Sequence, residues 1–240
     1  MDLGIQGKNA LVCAASKGLG RGCAEALAEA GVNLTICART EKDVIDTANE
    51  IRSKYKVSVD SVACDITTSE GREAALKTSG PVDILINNAG GPPPGQFRDW
   101  TREDWIKAVD ANMLTAIELI KFTVDEMISR KFGRIINILS AMVKNPHVIM
   151  GLSTSARSGL LGLSKGLSRE MAQFNITINN LLPERIDTDR QTRVIEFQAK
   201  LAGISYDEAK NNMEEELTAK RMGTVEEFSD LAAFLCSEQA

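Results

Sequence analysis

The strongest constraint on the fold is an alternation that runs the length of the chain: short, continuously apolar runs separated by longer amphipathic segments. Residues 8–14 (KNALVCA) read as a buried strand, and 18–31 as a helix closed by Gly31. Residues 33–38 form a second strand, 41–54 a charged helix and 57–64 a third strand. A helix over 69–79 leads into a strand at 82–86. Proline and glycine crowd residues 90–95 (GGPPPG), which form a loop. A helical stretch spans 101–130 with a break near Asp110. Then come a strand at 134–139, a helix at 152–173, a strand at 175–181 and a final amphipathic helix at 225–238. Residues 184–222 are polar and helix-prone and read as an insertion. Strands apolar on both sides must be covered on both sides. The expectation is one α/β domain over residues 1–240: a doubly wound parallel sheet with helices on both faces.

Composition removes several classes of function. Hydrophobic residues make up 43% of the chain and charged residues 25%, which excludes a disordered chain. The net charge of −5 carries no basic excess, so nucleic acid is not an expected partner. No apolar run approaches the roughly 20 residues of a membrane span. The N-terminus lacks the layout of a secretory signal. Cys13, Cys23, Cys37, Cys64 and Cys236 show no CxxC spacing and read as reduced thiols, most of them buried, in a cytoplasmic protein; no metal is expected.

In a doubly wound sheet, ligands bind beyond the C-terminal ends of the strands. Directly after the first strand stands Ala14-Ala15-Ser16-Lys17-Gly18-Leu19-Gly20. Glycines there let the backbone approach a pyrophosphate, whose charge meets the N–H groups at the start of the helix. Asn87-Asn88-Ala89-Gly90 follows the fourth strand, Asp65 and Ile66 the third, and Asn179-x-x-x-Pro183-x-x-x-x-Thr188 overlaps the sixth.

Together these segments make the chain similar to the short-chain dehydrogenase/reductase family over residues 5–240, and within it most like the 3-oxoacyl-acyl-carrier-protein reductases. That resemblance implies a Rossmann-like fold that binds a dinucleotide. It places the pyrophosphate on Ala14, Ser16, Lys17, Gly18, Leu19 and Gly20, and the adenine at Asp65 and Ile66. It places the nicotinamide near Pro183 and Thr188, and counts Asn88, Ala89 and Gly90 among the cofactor-binding residues. Cys13 and Ala14 replace the family's threonine and first glycine, and Glu184 stands where a glycine is usual.

Charge selects the cofactor. NAD binders commonly hold the ribose with an acid at the end of the second strand. This chain has Ala38-Arg39-Thr40 there, and Lys17 inside the glycine loop. Two cations suit a 2′-phosphate, so NADP(H) is expected.

The chemical end departs from the family. The resemblance implies a serine that polarises a carbonyl, a proton-passing tyrosine thirteen residues later, a lysine four beyond that, and an asparagine supporting a water relay. Ser140 and Asn112 match the serine and the asparagine. At the other two places stand Ser153 and Arg157, and aligning backwards from Gly162-Leu163-Ser164-Lys165 gives the same register. A phenol ionises near pH 10 and lower beside a cation, whereas a serine hydroxyl has no accessible ionisation. Arg157 keeps the positive charge and can hold ribose hydroxyls. His147, the only histidine, lies in the loop between Ser140 and Ser153 and is one alternative proton donor; Tyr206, in the polar insertion, is a second that could reach in from a lid.

The reading is an NADP(H)-dependent oxidoreductase acting on a small-molecule carbonyl or alcohol with atypical catalytic residues. Two alternatives stand beside it: a weak or inactive dinucleotide-binding protein or partner subunit, and an enzyme of another type, such as a dehydratase or isomerase, on the same scaffold. The resemblance implies that 184–222 is a substrate lid, and that the helices at 101–130 and 152–173 mediate a homodimer or homotetramer. Gly151, Ser155, Gly159 and Gly162 give the second of these helices a small-residue face. Relatives continue past the position of Ala240 into a seventh strand; a chain that stopped at Ala240 would leave one sheet edge open and would weaken the expectation of a tetramer.

Overall fold

The computed structural model describes residues 2–240. Six parallel strands form one sheet: β1 (Asn9–Val12), β2 (Asn33–Ala38), β3 (Val59–Ala63), β4 (Ile84–Asn87), β5 (Gly133–Ile138) and β6 (Ile176–Leu181). Their spatial order is β3-β2-β1-β4-β5-β6. The chain winds outward from β1 to β3, returns to pair β4 with β1, and winds outward again. The strand order therefore reverses between β1 and β4, and the crevice at that reversal is where such sheets bind ligands.

Each strand sends alternate side chains to opposite faces. Ala10, Val12 and Ile36 pack under α1 (Gly18–Glu29), α2 (Glu41–Tyr55) and α9 (Val225–Leu235). Leu11, Cys13, Leu85 and Ile135 pack under α3 (Ser69–Ser79), α5 (Thr115–Arg130) and α6 (Gly151–Met171). These two apolar layers account for the unbroken hydrophobicity of the strands. Cys13, Cys23, Cys37 and Cys236 are buried and Cys64 is partly so; all five are free thiols.

The break expected near Asp110 is a single wide turn. α4 (Arg102–Val109) runs into a π-helical turn at Asp110–Leu114 before α5 resumes. Thr115 closes that turn by donating its hydroxyl to the Asp110 carbonyl at 3.0 Å. The polar segment after β6 folds into a helical hairpin, α7 (Asp189–Ala202) and α8 (Tyr206–Glu216). The hairpin has its own apolar cluster of Ile195, Ala199, Ala209, Met213 and Met222, with Tyr206 packed against it. Among the described residues no helix is long and apolar enough to cross a membrane.

Two expectations need correction. Gly151 and Gly159 do not form part of an open small-residue face. A Cβ on Gly151 would stand 2.8 Å from the Trp100 ring, and one on Gly159 2.7 Å from Met113 Sδ, so both glycines admit side chains of the same chain. Gly162 is open. The first strand also stops at Val12, two residues early, because Ala14 turns into the left-handed region with φ +48°.

A polar ladder runs through the sheet. Asn87 donates to Asn137 Oδ1 at 2.9 Å. Asn137 in turn donates to Asn180 Oδ1 and to Ser164 Oγ, both at 3.0 Å. Asn137 is fully buried, so its amide has no water to fall back on. Replacing Asn137 with Ala strips the buried Asn87 amide of its acceptor and removes the donor to half-buried Asn180 and to Ser164, which keeps its bond to the Leu160 carbonyl; it should cost about 2–3 kcal/mol. Denaturant unfolding checks this; each kcal/mol corresponds to about 2–4 °C in Tm for a chain of this size.

Candidate active site

The crevice starts at the β1–α1 turn. Ala14 and Gly18 both have positive φ, +48° and +56°. Gly20 lies directly under the Ala14 carbonyl: a Cβ there would stand 2.3 Å from that oxygen. Asn88, just after β4, donates to the same oxygen at 3.4 Å. The two strand ends flanking the reversal are thus stitched together. No side chain caps the first turn of α1; Lys17 occupies the cap position without bonding the helix. Its leading N–H groups are left for an anion, and glycine keeps the approach clear, so the turn fits a diphosphate. Ser16 is held by its carbonyl, which accepts from Thr47 Oγ1 at 3.2 Å, and Leu19 packs into the core beneath.

At the ribose end, Arg39 is exposed at the tip of β2 and joins no ion pair among the described residues. Lys17 differs from the sequence reading of a second free cation: its ammonium sits 2.8 Å from Asp43 in the first turn of α2. Such an exposed pair contributes at most about 1 kcal/mol, and a phosphate can displace it. Asp65 shapes the turn after β3, accepting from the Thr67 N–H and hydroxyl at 3.0 and 2.8 Å. The adjacent Ile66 is buried. Thr188 caps α7, and its methyl lies over Gly18. The Pro183 carbonyl accepts from the Ala141 N–H at 3.0 Å, tying the segment after β6 to the turn after β5.

The chemical end is a small cleft lined by Asn87, Asn88, Ala89, Asn112, Leu139 and Arg157, among others. The π turn aims Asn112 inward; it is 7% exposed, with Nδ2 3.5 Å from the Gly90 carbonyl. Ser140 opens the short helical turn after β5 and accepts from the Met142 N–H at 3.3 Å. Ser153 and Arg157 are one turn apart on α6, and the Arg157 guanidinium donates to Ser153 Oγ. Ser153 is 4% exposed and is absent from the cleft lining, whereas Arg157 belongs to it. The serine therefore positions the arginine. His147 stands apart, exposed in the 144–148 loop, with no side-chain hydrogen bond to the cleft residues.

Two residues that the sequence reading did not single out stand beside Arg157 at the edge of the cleft, outside its lining. Arg190, in the first turn of α7, donates to the Gly91 carbonyl at 3.4 Å. Gly91 faces both arginines: a Cβ built on it would lie 3.2 Å from an Arg190 nitrogen and 3.3 Å from an Arg157 nitrogen. Arg157 is 9% exposed. Burial first, and the like charge of Arg190 second, push its guanidinium down to about 10 from 12.5. That corresponds to a cost of about 3 kcal/mol for keeping the charge in the folded chain. Nothing in an isolated Asp-Arg sequence signals this role for Arg190.

A glycine-opened turn at the strand-order reversal, facing a cleft of polar groups beyond β4 and β5, defines a Rossmann-like, dinucleotide-binding α/β protein. The chain belongs to the short-chain dehydrogenase family, whose sequence model matches residues 8–199. It is 29% identical over 244 residues to the 3-oxoacyl-[acyl-carrier-protein] reductase of Aquifex aeolicus, covering all of this chain and 94% of that protein. It is 32% identical over 238 residues to an NADPH-dependent reductase of Bacillus subtilis, covering 97% and 92%. The structure of L-sorbose reductase from Gluconobacter frateurii, complexed with NADPH and L-sorbose, superposes with a TM-score of 0.94 at 29% identity, over 100% of this chain and 93% of that one.

Two stability changes test the geometry. Ala14→Gly relieves a left-handed alanine and should raise the unfolding free energy by about 1 kcal/mol. Arg157→Met removes an uncompensated buried cation and should raise it by about 1–2 kcal/mol. The second gain should be constant between pH 6 and 9. The folded-state value of about 10 lies above that window, so Arg157 is charged in both folded and unfolded chains throughout it. Above pH 10 the wild type sheds the Arg157 proton more readily when folded than when unfolded, and the gain should shrink. Chemical denaturation across pH measures both.

Proposed function

We propose that the chain is an NADP(H)-dependent oxidoreductase acting on a carbonyl or alcohol, of the 3-oxoacyl reductase type, with a weakened proton-transfer apparatus. The observation that carries it is the uncapped, glycine-opened start of α1 beside the free Arg39. Relatives support the cofactor: the Bacillus subtilis protein is named an NADPH-dependent reductase, and the Gluconobacter frateurii enzyme was solved with NADPH. The α1 start, Gly18 and Gly20 would hold the diphosphate, Arg39 the 2′-phosphate, Asp65 and Ile66 the adenine, and Asn88, Ala89, Gly90, Pro183 and Thr188 the nicotinamide half. The bound cofactor supplies hydride. Ser140 would offer its hydroxyl to the carbonyl oxygen, and Asn112 would anchor a water in the cleft. The α7–α8 hairpin would be the substrate lid.

No phenol reaches the cleft. The best-placed titratable alternative is His147, brought in by movement of its loop. General acid catalysis contributes about 10²–10⁴-fold, so its weakening costs about 3–5 kcal/mol of barrier. The burial of Ser153 against Arg157 also supports the second reading, dinucleotide binding with little turnover. Exposed Ile106, Leu114 and Phe122 on α4 to α5, with Leu163 on α6, support self-association into a dimer or tetramer through these helices.

Fluorescence titration should give tighter binding of NADPH than NADH, by about tenfold or more, with Arg39→Ala narrowing the gap. NADH preference would overturn the assignment. Joint replacement Ser153→Tyr with Arg157→Lys should raise ketone reduction about 10²-fold or more. His147→Ala should lower kcat about tenfold in the wild-type background and leave NADPH affinity unchanged. An unchanged kcat would pass the proton to solvent.

A further inference from the structure

Arg157 in the cleft lining and Arg190 at its edge meet across Gly91 and, among the described residues, have no anion to balance them. Neither Arg157 nor Arg190 takes part in any ion pair, although the chain has 33 acidic residues against 28 basic ones from which a partner could be drawn. The hydrogen bonds leave most of their donors unused. A guanidinium carries five N–H groups. Arg157 bonds only Ser153 Oγ, and Arg190 only the Gly91 carbonyl. Like charges this close repel, and the repulsion is felt at Arg157. Residue 91 is glycine, and any side chain there would press on both guanidiniums. Such an arrangement is stable in function when a ligand brings the missing charge, because arginines grip carboxylates and phosphates through parallel charge-assisted hydrogen bonds.

We propose that Arg157 and Arg190, facing each other across Gly91, bind an oxyanion carried by the substrate, a carboxylate or a phosphoryl group, so that the chain acts on acidic rather than neutral carbonyl compounds. This rests on the reading of the cleft beyond β4 as the substrate end. The cofactor's own phosphates have other places, at the α1 start and at Arg39 on the β2 tip. Arg190 belongs to the α7–α8 hairpin and Arg157 to the sheet-packed α6, so the same anion would draw the hairpin onto the cleft.

Calorimetric titration of the full chain with malonate, and separately with inorganic phosphate, tests this at physiological ionic strength. Each is run with and without saturating NADP+. The expected result is one saturable site for at least one anion, retained when NADP+ is bound and weakened about tenfold by Arg190→Gln. Arg190→Lys, which keeps the charge without the fork, should fall between. Arg190 is exposed, so its variants should unfold at the wild-type temperature, which separates lost binding from lost folding. Malonate without phosphate binding identifies a carboxylate; the reverse identifies a phosphoryl group. Three outcomes overturn the proposal: no saturable heat with either anion, binding that Arg190→Gln leaves unchanged, or binding abolished by NADP+. The last would give the arginines to a cofactor phosphate. Failure of NADP+ to bind while an anion still binds would instead sink the proposed cofactor and leave this site standing.

Discussion

The contact on which the rest of the molecule depends is the meeting of two strand ends at the reversal of strand order. The Ala14 carbonyl sits against Gly20 from one side and receives the Asn88 amide from the other. This single oxygen fixes where α1 begins, how close its N-terminus comes to β4, and how wide the crevice between them is. Everything with chemical potential then hangs from the same rim: the cradle after β1, the asparagines and glycines after β4, Ser140 after β5 and the hairpin after β6. The buried ladder Asn87–Asn137–Asn180 locks β4, β5 and β6 in register just beneath that rim. The positions of the site groups are therefore a property of the sheet, which is stiff.

The chemical end follows a different logic from the cofactor end. At the cofactor end, the uncapped, glycine-opened start of α1 fits a diphosphate, Lys17 is paired with Asp43, and Arg39 alone joins no ion pair among the described residues. In the cleft, a serine has drawn back into the protein and an arginine fills the opening. An arginine cannot donate a proton near neutral pH, but it binds planar anions well. Under the proposed function, Ser153 and Arg157 would exchange proton-transfer capacity for anion affinity at the same place. A cost of about 3 kcal/mol for the buried charge is the kind of local sacrifice that stability alone would not maintain.

Much of this was legible in the sequence, for identifiable reasons. The strands were readable because parallel strands are apolar on both sides, and the second matched residue for residue at 33–38. The break near Asp110 was readable from the interrupted helix pattern. Its π geometry was not, because one extra residue in a turn leaves no mark on the apolar pattern. The left-handed turn at Ala14 was hidden, since alanine rarely adopts it and only the sheet forces it. Gly151 and Gly159 misled, because small residues on a helix look alike whether they receive a neighbour's side chain or another molecule. Arg190 was invisible for a deeper reason: its partner, Arg157, is distant in sequence, and like charges are not expected to converge. The asparagines inside otherwise apolar strands, Asn137 and Asn180, were a signal that could have been read as a buried network.

The self-contained core of the α7–α8 hairpin has a mechanical consequence. Its apolar cluster is internal, so a swing of the whole unit keeps those contacts intact. Its base is held by a short parallel bridge between Ile186 and Gly223. In the proposed lid role the hairpin would pivot as one stiff flap about a narrow stem, with the torsion taken up by a few backbone angles. The resistance to such an opening would then come from its rim contacts, such as Arg190 on the Gly91 carbonyl and Thr188 over Gly18.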